Sequence, residues 1–245
     1  YAGDSAVKAN VTAKSVGGKI NLSKVDSETG AVAQGDAILK GAVYAVYNSV
    51  GNEIARLTIG DDLTAKTDYL DLGTYTIKEV GAPTGYNLSN ETYTVTITAD
   101  NLNPVVQVKD NVIKGNLEIL KKLESADYDS EINLSGAQFK ITLKSDTTKV
   151  YYTNESGLDG ICRVDNLPYG QYIVEEVTVP NSAFKVDNFE ITISEDSRTY
   201  ERTIVDKSKK MKIAVEKILL PEVVGKTDAK VSGAYFTVYT DEAAT

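Results

Sequence analysis

An apolar stripe that ends in lysine occurs three times in the sequence, at nearly equal intervals. In each copy every second residue is apolar or glycine, and the copies run over Gly18–Lys24, Gly115–Lys121 and Met211–Lys217. Their first residues are 97 and 96 positions apart. Because side chains alternate between the two faces of a β-strand, each stripe predicts a strand with an inward face that ends in a lysine.

Other strand patterns recur at matching positions behind each stripe. A second strand begins with Gly-Ala at Gly41, Gly136 and Gly233 and has an aromatic residue three positions later. A third strand contains an inward glutamate, Glu79 in the first copy and Glu176 in the second. Both copies then have a further alternating strand and a closing acid, at Tyr93–Ile97, Phe189–Ile193, Asp110 and Asp206. No helical period of convincing length is present, so each full copy predicts an all-β sandwich of about seven short strands.

The repeat divides the chain into predicted domains. We expect two complete sandwiches, 18–114 and 115–210, and an incomplete third repeat at 211–245 that supplies two strands. Residues 1–17 are interpreted as a leader or as the last strand of a preceding repeat. The incomplete repeat favours a fragment of a longer protein. The alternative is a domain completed by another chain, with an intermolecular crosslink through Lys217.

The composition excludes several kinds of site. The 245 residues include one cysteine and no histidine, which excludes disulfides within the chain, imidazole metal sites and histidine-based nucleophile pairs. Cys162 is interpreted as a small buried residue, with a reactive thiol as the alternative. A net charge of −9 gives no general reason to expect nucleic acid as a partner, and the basic run Lys207–Lys212 is interpreted as a solvated linker. We expect no cofactor, and no membrane contact in this segment because no apolar stretch is long enough to span a bilayer.

Each full copy places a lysine, a glutamate and an aspartate at inward positions. Burial lowers the pKa of a lysine and raises the pKa of a carboxyl group, so a neutral amine and a neutral acid become accessible together. The amine can then attack the carboxyl carbon while the adjacent glutamate relays protons. The predicted product is an amide, formed once per folded molecule, and a structural ion cluster is the alternative. The groups are Lys24, Glu79 and Asp110 in the first copy, and Lys121, Glu176 and Asp206 in the second.

Neighbouring residues are weaker candidates for these roles. Lys19 and Lys122 for the amine, and Asn111 for the acid, lie on the opposite strand face. A single lysine at a strand end would usually extend to solvent. Three at the same register, each with apolar neighbours two and four positions earlier, argue against that interpretation.

The stretch YTIKEVGAPTGY, residues 75–86, makes the sequence resemble a known family. It is similar to the E-box of Gram-positive pilins, Tyr-x-Leu-x-Glu-Thr-x-Ala-Pro-x-Gly-Tyr, with Ile77 in place of Leu and Val80 in place of Thr. Together with the lysine strand and the Gly-Ala strand, it makes residues 18–240 resemble the B-type repeats of collagen adhesins and the domains of sortase-assembled backbone pilins.

The resemblance implies tandem immunoglobulin-like (prealbumin-like) sandwiches of seven strands. It also implies that a lysine of the first strand is joined to the acid of the last strand, with the E-box glutamate as catalyst. By position, it implies crosslinks Lys24–Asp110 and Lys121–Asp206, with Glu79 and Glu176 as the catalysts. The second copy departs from the pattern, since its E-box lacks the Gly-Tyr ending and Arg202 interrupts the inward stripe before the closing acid.

The function we expect is structural. A stalk or pilus segment of a cell-surface adhesin, with a cell-wall-anchored parent, would have neighbouring repeats, sortase-linked pilin subunits or host matrix as partners. The first alternative is a ligand-binding adhesin module for a host matrix protein or carbohydrate. The second, a hydrolase or transferase that uses Glu79, has no further catalytic group to support it. Leu220–Gly225 lacks the threonine of a sortase signal and is interpreted as a loop of the third repeat.

Overall fold

The computed structural model describes residues 16–123, 134–180 and 184–207, together with Val215. Apart from Val215, the described residues belong to one compact unit, residues 1–208. The predicted leader is therefore described only at its last two residues. The predicted third repeat, including Lys217, lies outside the described residues except for Val215.

The first repeat forms a β-sandwich whose two sheets face each other across a shared core. One sheet has the strand order β4-β3-β7-β8 and the other β5-β2-β9, while the two-residue strands β1 and β6 pair separately. The strands are β1 Gly17–Gly18, β2 Asn21–Asp26, β3 Val43–Tyr47, β4 Glu53–Thr58, β5 Thr64–Lys66, β6 Leu70–Asp71, β7 Gly73–Gly81, β8 Thr92–Ile97 and β9 Val105–Asp110.

The second repeat has the same architecture. Its sheets are ordered β12-β11-β14-β15 and β13-β10-β16, which match the first repeat strand for strand. The strands are β10 Lys114–Leu123, β11 Gln138–Leu143, β12 Val150–Tyr152, β13 Ile161–Pro168, β14 Gly170–Thr178, β15 Phe189–Ile193 and β16 Thr199–Asp206. The prediction of tandem seven-stranded all-β sandwiches is therefore confirmed. Among the described residues no helix is long and apolar enough to cross a lipid bilayer.

Each sandwich has its own hydrophobic core, built from the inward faces that the alternation predicts. In β2 and β7 every second residue is buried, so Leu22 and Ile77 meet Tyr44 between the sheets. Phe139 and Tyr172 have corresponding places in the second core. Burying side chains of this size stabilises the fold by about 1.5–3 kcal/mol each, which makes these stripes the main determinants of strand register.

The first and last strands of each repeat are parallel neighbours. Lys24 lies opposite Val108, two residues before Asp110, in the β2–β9 pair. The β10–β16 pair has the same offset between Lys121 and Asp206. Since residues two apart share a face, this register places each lysine diagonally next to the closing acid.

The first strand differs from its prediction in one respect. The stripe beginning at Gly18 predicts one strand, but β1 ends at Gly18 and β2 begins at Asn21. The amide of Lys19 donates to the Leu102 carbonyl, and the amide of Ile20 donates to the Thr67 hydroxyl, so neither continues a strand ladder. The second repeat has no such break, because β10 runs continuously from Lys114.

Direct contacts join the two sandwiches. The amide of Asp36 donates to the Tyr169 carbonyl (2.8 Å), and the Asp36 carboxylate accepts a hydrogen bond from the amide of Gln171 (2.9 Å). Lys114 forms an ion pair of 2.7 Å with Glu28. A small apolar cluster adjoins these contacts and consists of Ala37, Leu39, Tyr86 and Val112, with Tyr169 of the second repeat packed against it.

Candidate functional site

The first repeat contains a buried cluster of one lysine and two carboxyl groups. Lys24 comes from β2, Asp110 from β9 and Glu79 from β7 of the facing sheet, and their side chains are fully shielded from solvent. The amine of Lys24 contacts Oδ2 of Asp110 and lies 3.6 Å from Oε1 of Glu79. The three residues singled out in the sequence are thus brought together in the core.

The second repeat contains the matching cluster. The amine of Lys121 contacts Oε1 of Glu176 directly and lies 2.7 Å from Oδ2 of Asp206. All three side chains are again fully buried. Arg202, which interrupts the inward stripe, is exposed and places its guanidinium 4.6 Å from the centre of the Phe189 ring, so it does not enter the cluster.

Each glutamate is held by a backbone donor that the sequence analysis missed. The second carboxylate oxygen of Glu79 accepts a hydrogen bond from the amide of Ser89 (2.7 Å), and that of Glu176 accepts one from the amide of Val186 (3.0 Å). In both repeats the donor lies ten residues after the glutamate. Because every residue has a backbone amide, side-chain identity gives no signal for this contact.

Tyr44 also belongs to the first cluster. It is fully buried, and its hydroxyl accepts a hydrogen bond of 2.7 Å from the amine of Lys24. Phe139 has the matching place in the second repeat, with its ring centre 5.6 Å from the amine of Lys121. The difference between tyrosine and phenylalanine at this position is the signal that the sequence offers for this contact.

The electrostatics of the first cluster favour a protonated carboxyl group near neutral pH. Burial, with a further contribution from Asp110, raises the pKa of Glu79 to about 7, although the Ser89 amide and Lys24 act in the opposite direction. Burial, Asp110 and Glu79 raise the pKa of Tyr44, so its hydroxyl stays protonated.

In the second cluster the carboxyl group with the raised pKa is the aspartate. Burial and Glu176 raise the pKa of Asp206, while Lys121 lowers it. Within the described part of the chain, neither carboxylate oxygen of Asp110 or Asp206 has a hydrogen bond of normal geometry, although a lysine amine lies against each group. An amine and a neutral carboxyl group in contact, next to a glutamate, form an arrangement that can condense to an amide.

A second buried acid lies beside the first cluster, and the sequence analysis did not identify it. Asp26 accepts hydrogen bonds from the backbone amides of Glu28 (2.8 Å) and Thr29 (3.0 Å), and from the Tyr86 hydroxyl (2.8 Å). Burial raises its pKa, but these hydrogen bonds outweigh burial and leave the pKa lowered. Asp26 is therefore an ionised acid, and Tyr86, the last residue of the E-box-like stretch, fixes it.

The weaker candidates lie away from the clusters. Lys122 and Asn111 are exposed, and Lys19 lies over the Tyr69 ring at 5.2 Å. Cys162 is fully buried, its thiol donates to the Ala137 carbonyl (3.4 Å), and burial raises its pKa, as expected for an apolar core residue.

Comparisons with known proteins place the sequence in a family. The sequence matches the family described as "SpaA: Prealbumin-like fold domain" over residues 18–112 and 119–208. A comparison with curated proteins finds no match.

Solved structures of similar fold include the TIE protein of Bacillus anthracis, at 26% identity and a TM-score of 0.64 over 78% of this chain and 34% of that chain. The chain therefore spans about a third of that protein. The C-terminal fragment of the pilus adhesin SpaC from Lactobacillus rhamnosus GG is 14% identical, with a TM-score of 0.49 over 81% of this chain and 100% of that one. GBS52, the minor pilin of Streptococcus agalactiae, is 14% identical, with a TM-score of 0.36 over 82% and 100% of the two chains. With two matches covering most of its length, the chain belongs to the SpaA prealbumin-like fold domain family.

Proposed function

We propose that this chain is a stalk or pilus segment of a Gram-positive surface adhesin, and that each repeat is crosslinked by a self-formed amide. The crosslinks are Lys24–Asp110 and Lys121–Asp206, with Glu79 and Glu176 as the catalytic residues. The observation that carries the proposal is the buried lysine, glutamate and aspartate cluster, found twice on equivalent strands.

The reaction is a condensation that each molecule performs once per site. A lysine ammonium, a protonated aspartic acid and a glutamate carboxylate give an amide, one water and a protonated glutamic acid. The C–N bond forms as the carboxyl C–O bond breaks, and the glutamate takes the proton that the ammonium loses. No substrate enters and nothing turns over.

The charge balance supports an amide over an ion cluster. Three ionised groups would leave one uncompensated negative charge inside each sandwich, and an uncompensated buried charge is strongly destabilising. Condensation replaces the lysine and aspartate charges with a neutral amide and leaves the glutamate protonated. The raised pKa values of Glu79 and Asp206 are consistent with a site that avoids the fully ionised state.

The bond would give the repeat mechanical and thermodynamic resistance. Closing the loop from Lys24 to Asp110 stabilises by about 4 kcal/mol if a disulfide of similar loop length is a fair guide. Tension that enters through β2 would leave through its parallel neighbour β9 without loading the rest of the sandwich. Eleven residues further on, at Lys121, the next crosslink begins.

The proposal also covers the domain organisation of the chain, its partners and its location. We assign sandwich domains to 18–114 and 115–210 and an incomplete third repeat to 211–245, in which Lys217 matches the crosslink lysines by position but has no paired acid. The partners would be neighbouring repeats, sortase-linked pilin subunits or host matrix, on the extracellular surface of a cell-wall-anchored parent. Tyr44, Tyr75 and Tyr172 are buried in the cores, so none of these three can line a surface pocket for the ligand-binding alternative.

The test is the intact mass of the denatured chain. We expect a deficit of two waters relative to the sequence, falling to one water in Glu79→Ala and one in Glu176→Ala. Glu175→Ala is the matched control, because this carboxylate pairs with Lys185 at the surface and the variant should keep both deficits. A parent chain with no deficit would refute the crosslinks and leave only buried ion clusters.

A further inference from the structure

The two clusters differ in how the lysine reaches the glutamate. In the second repeat the amine of Lys121 touches Oε1 of Glu176. In the first repeat the corresponding distance, from Lys24 to Glu79, is 3.6 Å, which is longer than a hydrogen bond. A proton that passes directly between these groups in the second site has no direct hydrogen bond to follow in the first.

Tyr44 lies where its hydroxyl can connect the Lys24 amine to the Glu79 carboxylate. Its hydroxyl is 2.7 Å from the amine of Lys24, and its residue lies directly opposite Glu79 in the β3–β7 ladder. Opposite residues of an antiparallel pair project to the same side, so the tyrosine and glutamate side chains share the inward face. Oε1 of Glu79, the oxygen nearest the amine, has no hydrogen bond of normal geometry among the described residues.

The second repeat has no hydroxyl at this position. Phe139 lies opposite Glu176 in the β11–β14 ladder, as Tyr44 lies opposite Glu79. The repeat with the open gap has the tyrosine, and the repeat with direct contact has the phenylalanine.

We propose that the Tyr44 hydroxyl relays a proton from the Lys24 amine to Glu79 during amide formation in the first site, whereas the second site makes this transfer directly. The inference rests on the proposed function. The ammonium of Lys24 gives a proton to the Tyr44 oxygen while the tyrosine O–H gives its own proton to Oε1 of Glu79. The tyrosine ends unchanged, the amine becomes neutral, and Glu79 becomes protonated.

The surroundings suit a relay that never ionises. The groups that face Tyr44 are Lys24 of β2, Glu79 of β7, Asp110 of β9 and Tyr93 of β8. Burial and the two carboxyl groups raise the pKa of Tyr44, so a tyrosinate does not accumulate. A hydroxyl that accepts one proton as it donates another needs no net charge on the ring.

The test follows both bonds in one molecule during folding. The chain is recovered unfolded from inclusion bodies in guanidinium chloride and diluted into buffer. Samples are then quenched and digested, and the two crosslinked peptides are quantified by mass spectrometry. In Tyr44→Phe we expect the Lys24–Asp110 bond to form at least about tenfold more slowly. The Lys121–Asp206 bond should keep its rate within twofold, which also reports that the chain has folded.

A matched control separates the hydroxyl from packing. Tyr75 lies in the same core, and its hydroxyl binds the Asp71 carbonyl (2.8 Å) rather than a reacting group. Tyr75→Phe should therefore leave both rates within twofold of the parent. A second variant, Phe139→Tyr, should not accelerate the second bond, because Lys121 and Glu176 already touch.

The pH profile distinguishes a relay from a structural role. Without the relay, Lys24 must lose its proton to solvent, which becomes easier as the pH rises, so the rate in Tyr44→Phe should fall less steeply above pH 7 than the parent rate. Equal slowing at every pH, an unchanged rate, or faster second-bond formation in Phe139→Tyr would each overturn the relay. Absence of any crosslink in the parent would instead refute the proposed function itself.

Discussion

Two aspartates of the first repeat lie directly opposite each other in the β2–β9 pair, yet their environments differ. Asp26 is held by two backbone amides and the Tyr86 hydroxyl, and its pKa is lowered. Asp110 has no hydrogen bond of normal geometry among the described residues and lies against the Lys24 amine. A carboxylate that keeps its donors stays ionised and unreactive, so hydrogen bonding rather than residue type determines which acid suits condensation.

The same electrostatics predict how the first bond depends on pH. Condensation needs one proton on the pair of carboxyl groups beside the lysine, carried by Asp110 when Glu79 acts as the base, and a Glu79 pKa of about 7, raised in part by Asp110, means that the pair keeps this proton below pH 7 and loses it above. In the refolding assay, the rate of Lys24–Asp110 formation should fall about tenfold for each pH unit above 7. A rate that rises steadily between pH 7 and pH 9 in the parent chain would contradict this protonation scheme.

At the scale of elements, the turn after β7 connects the cluster to the rest of the repeat. Gly85 has a φ of +82°, and a Cβ at this position would lie 2.6 Å from Cβ of Ala37 and 2.8 Å from the Tyr169 ring. The turn therefore needs glycine both for its backbone conformation and for its close packing. It delivers Tyr86 to Asp26, so the ending of the E-box-like stretch serves the fold as well as the site.

Substitution of Gly85 should lower the free energy of unfolding for two separable reasons. Gly85→Ala should reduce the free energy of unfolding by at least about 2 kcal/mol, since it adds steric overlap to an unfavourable φ. Gly51→Ala is the matched control: its φ is +85° and no atom lies within 4 Å of the added Cβ, so only about 1 kcal/mol should be lost. Both are measured by urea unfolding of a Glu79→Ala, Glu176→Ala chain. Equal losses would show that the close packing has no energetic effect.

At the scale of the whole described unit, Asp36 joins the two sandwiches. Its backbone amide binds the Tyr169 carbonyl, and its carboxylate accepts hydrogen bonds from the Gln171 amide and the Ser145 hydroxyl. The joint between the repeats also includes the Lys114–Glu28 ion pair and the shared apolar cluster. We expect these contacts to limit bending between the two repeats, in keeping with the proposed stalk.

Removing the carboxylate should loosen this joint without unfolding either sandwich. In Asp36→Ala we expect the two repeats to tumble more independently, measured as shorter rotational correlation times by NMR relaxation. Asp61→Ala is the control, because its ion pair with Lys40 is exposed and lies within the first repeat. Unchanged correlation times in Asp36→Ala would mean that the remaining contacts alone fix the joint.

The sequence by itself determined the strand pattern, the repeat and the members of both clusters. Alternation of buried and exposed residues is a local property, and Leu22, Lys24, Ile77 and Glu79 follow it in the structure as the pattern predicted. The resemblance to pilin domains implied that the first strand of each repeat lies next to the last. The predicted fold of tandem seven-stranded sandwiches is confirmed. The domain boundaries and the roles of the cluster residues stay predictions.

Only the tertiary structure decided which hydrogen-bond partners the residues of each cluster have. Some of these contacts join side chains that are far apart in sequence, namely Tyr44 with Lys24 and Tyr86 with Asp26. Others use backbone groups that every residue has, namely the amides of Ser89 and Val186 that bind the two glutamates. The break after Gly18 and the joint at Asp36 likewise arise from contacts with loops. Periodicity specifies which face a side chain occupies, whereas its neighbours across the core depend on how the two sheets pack.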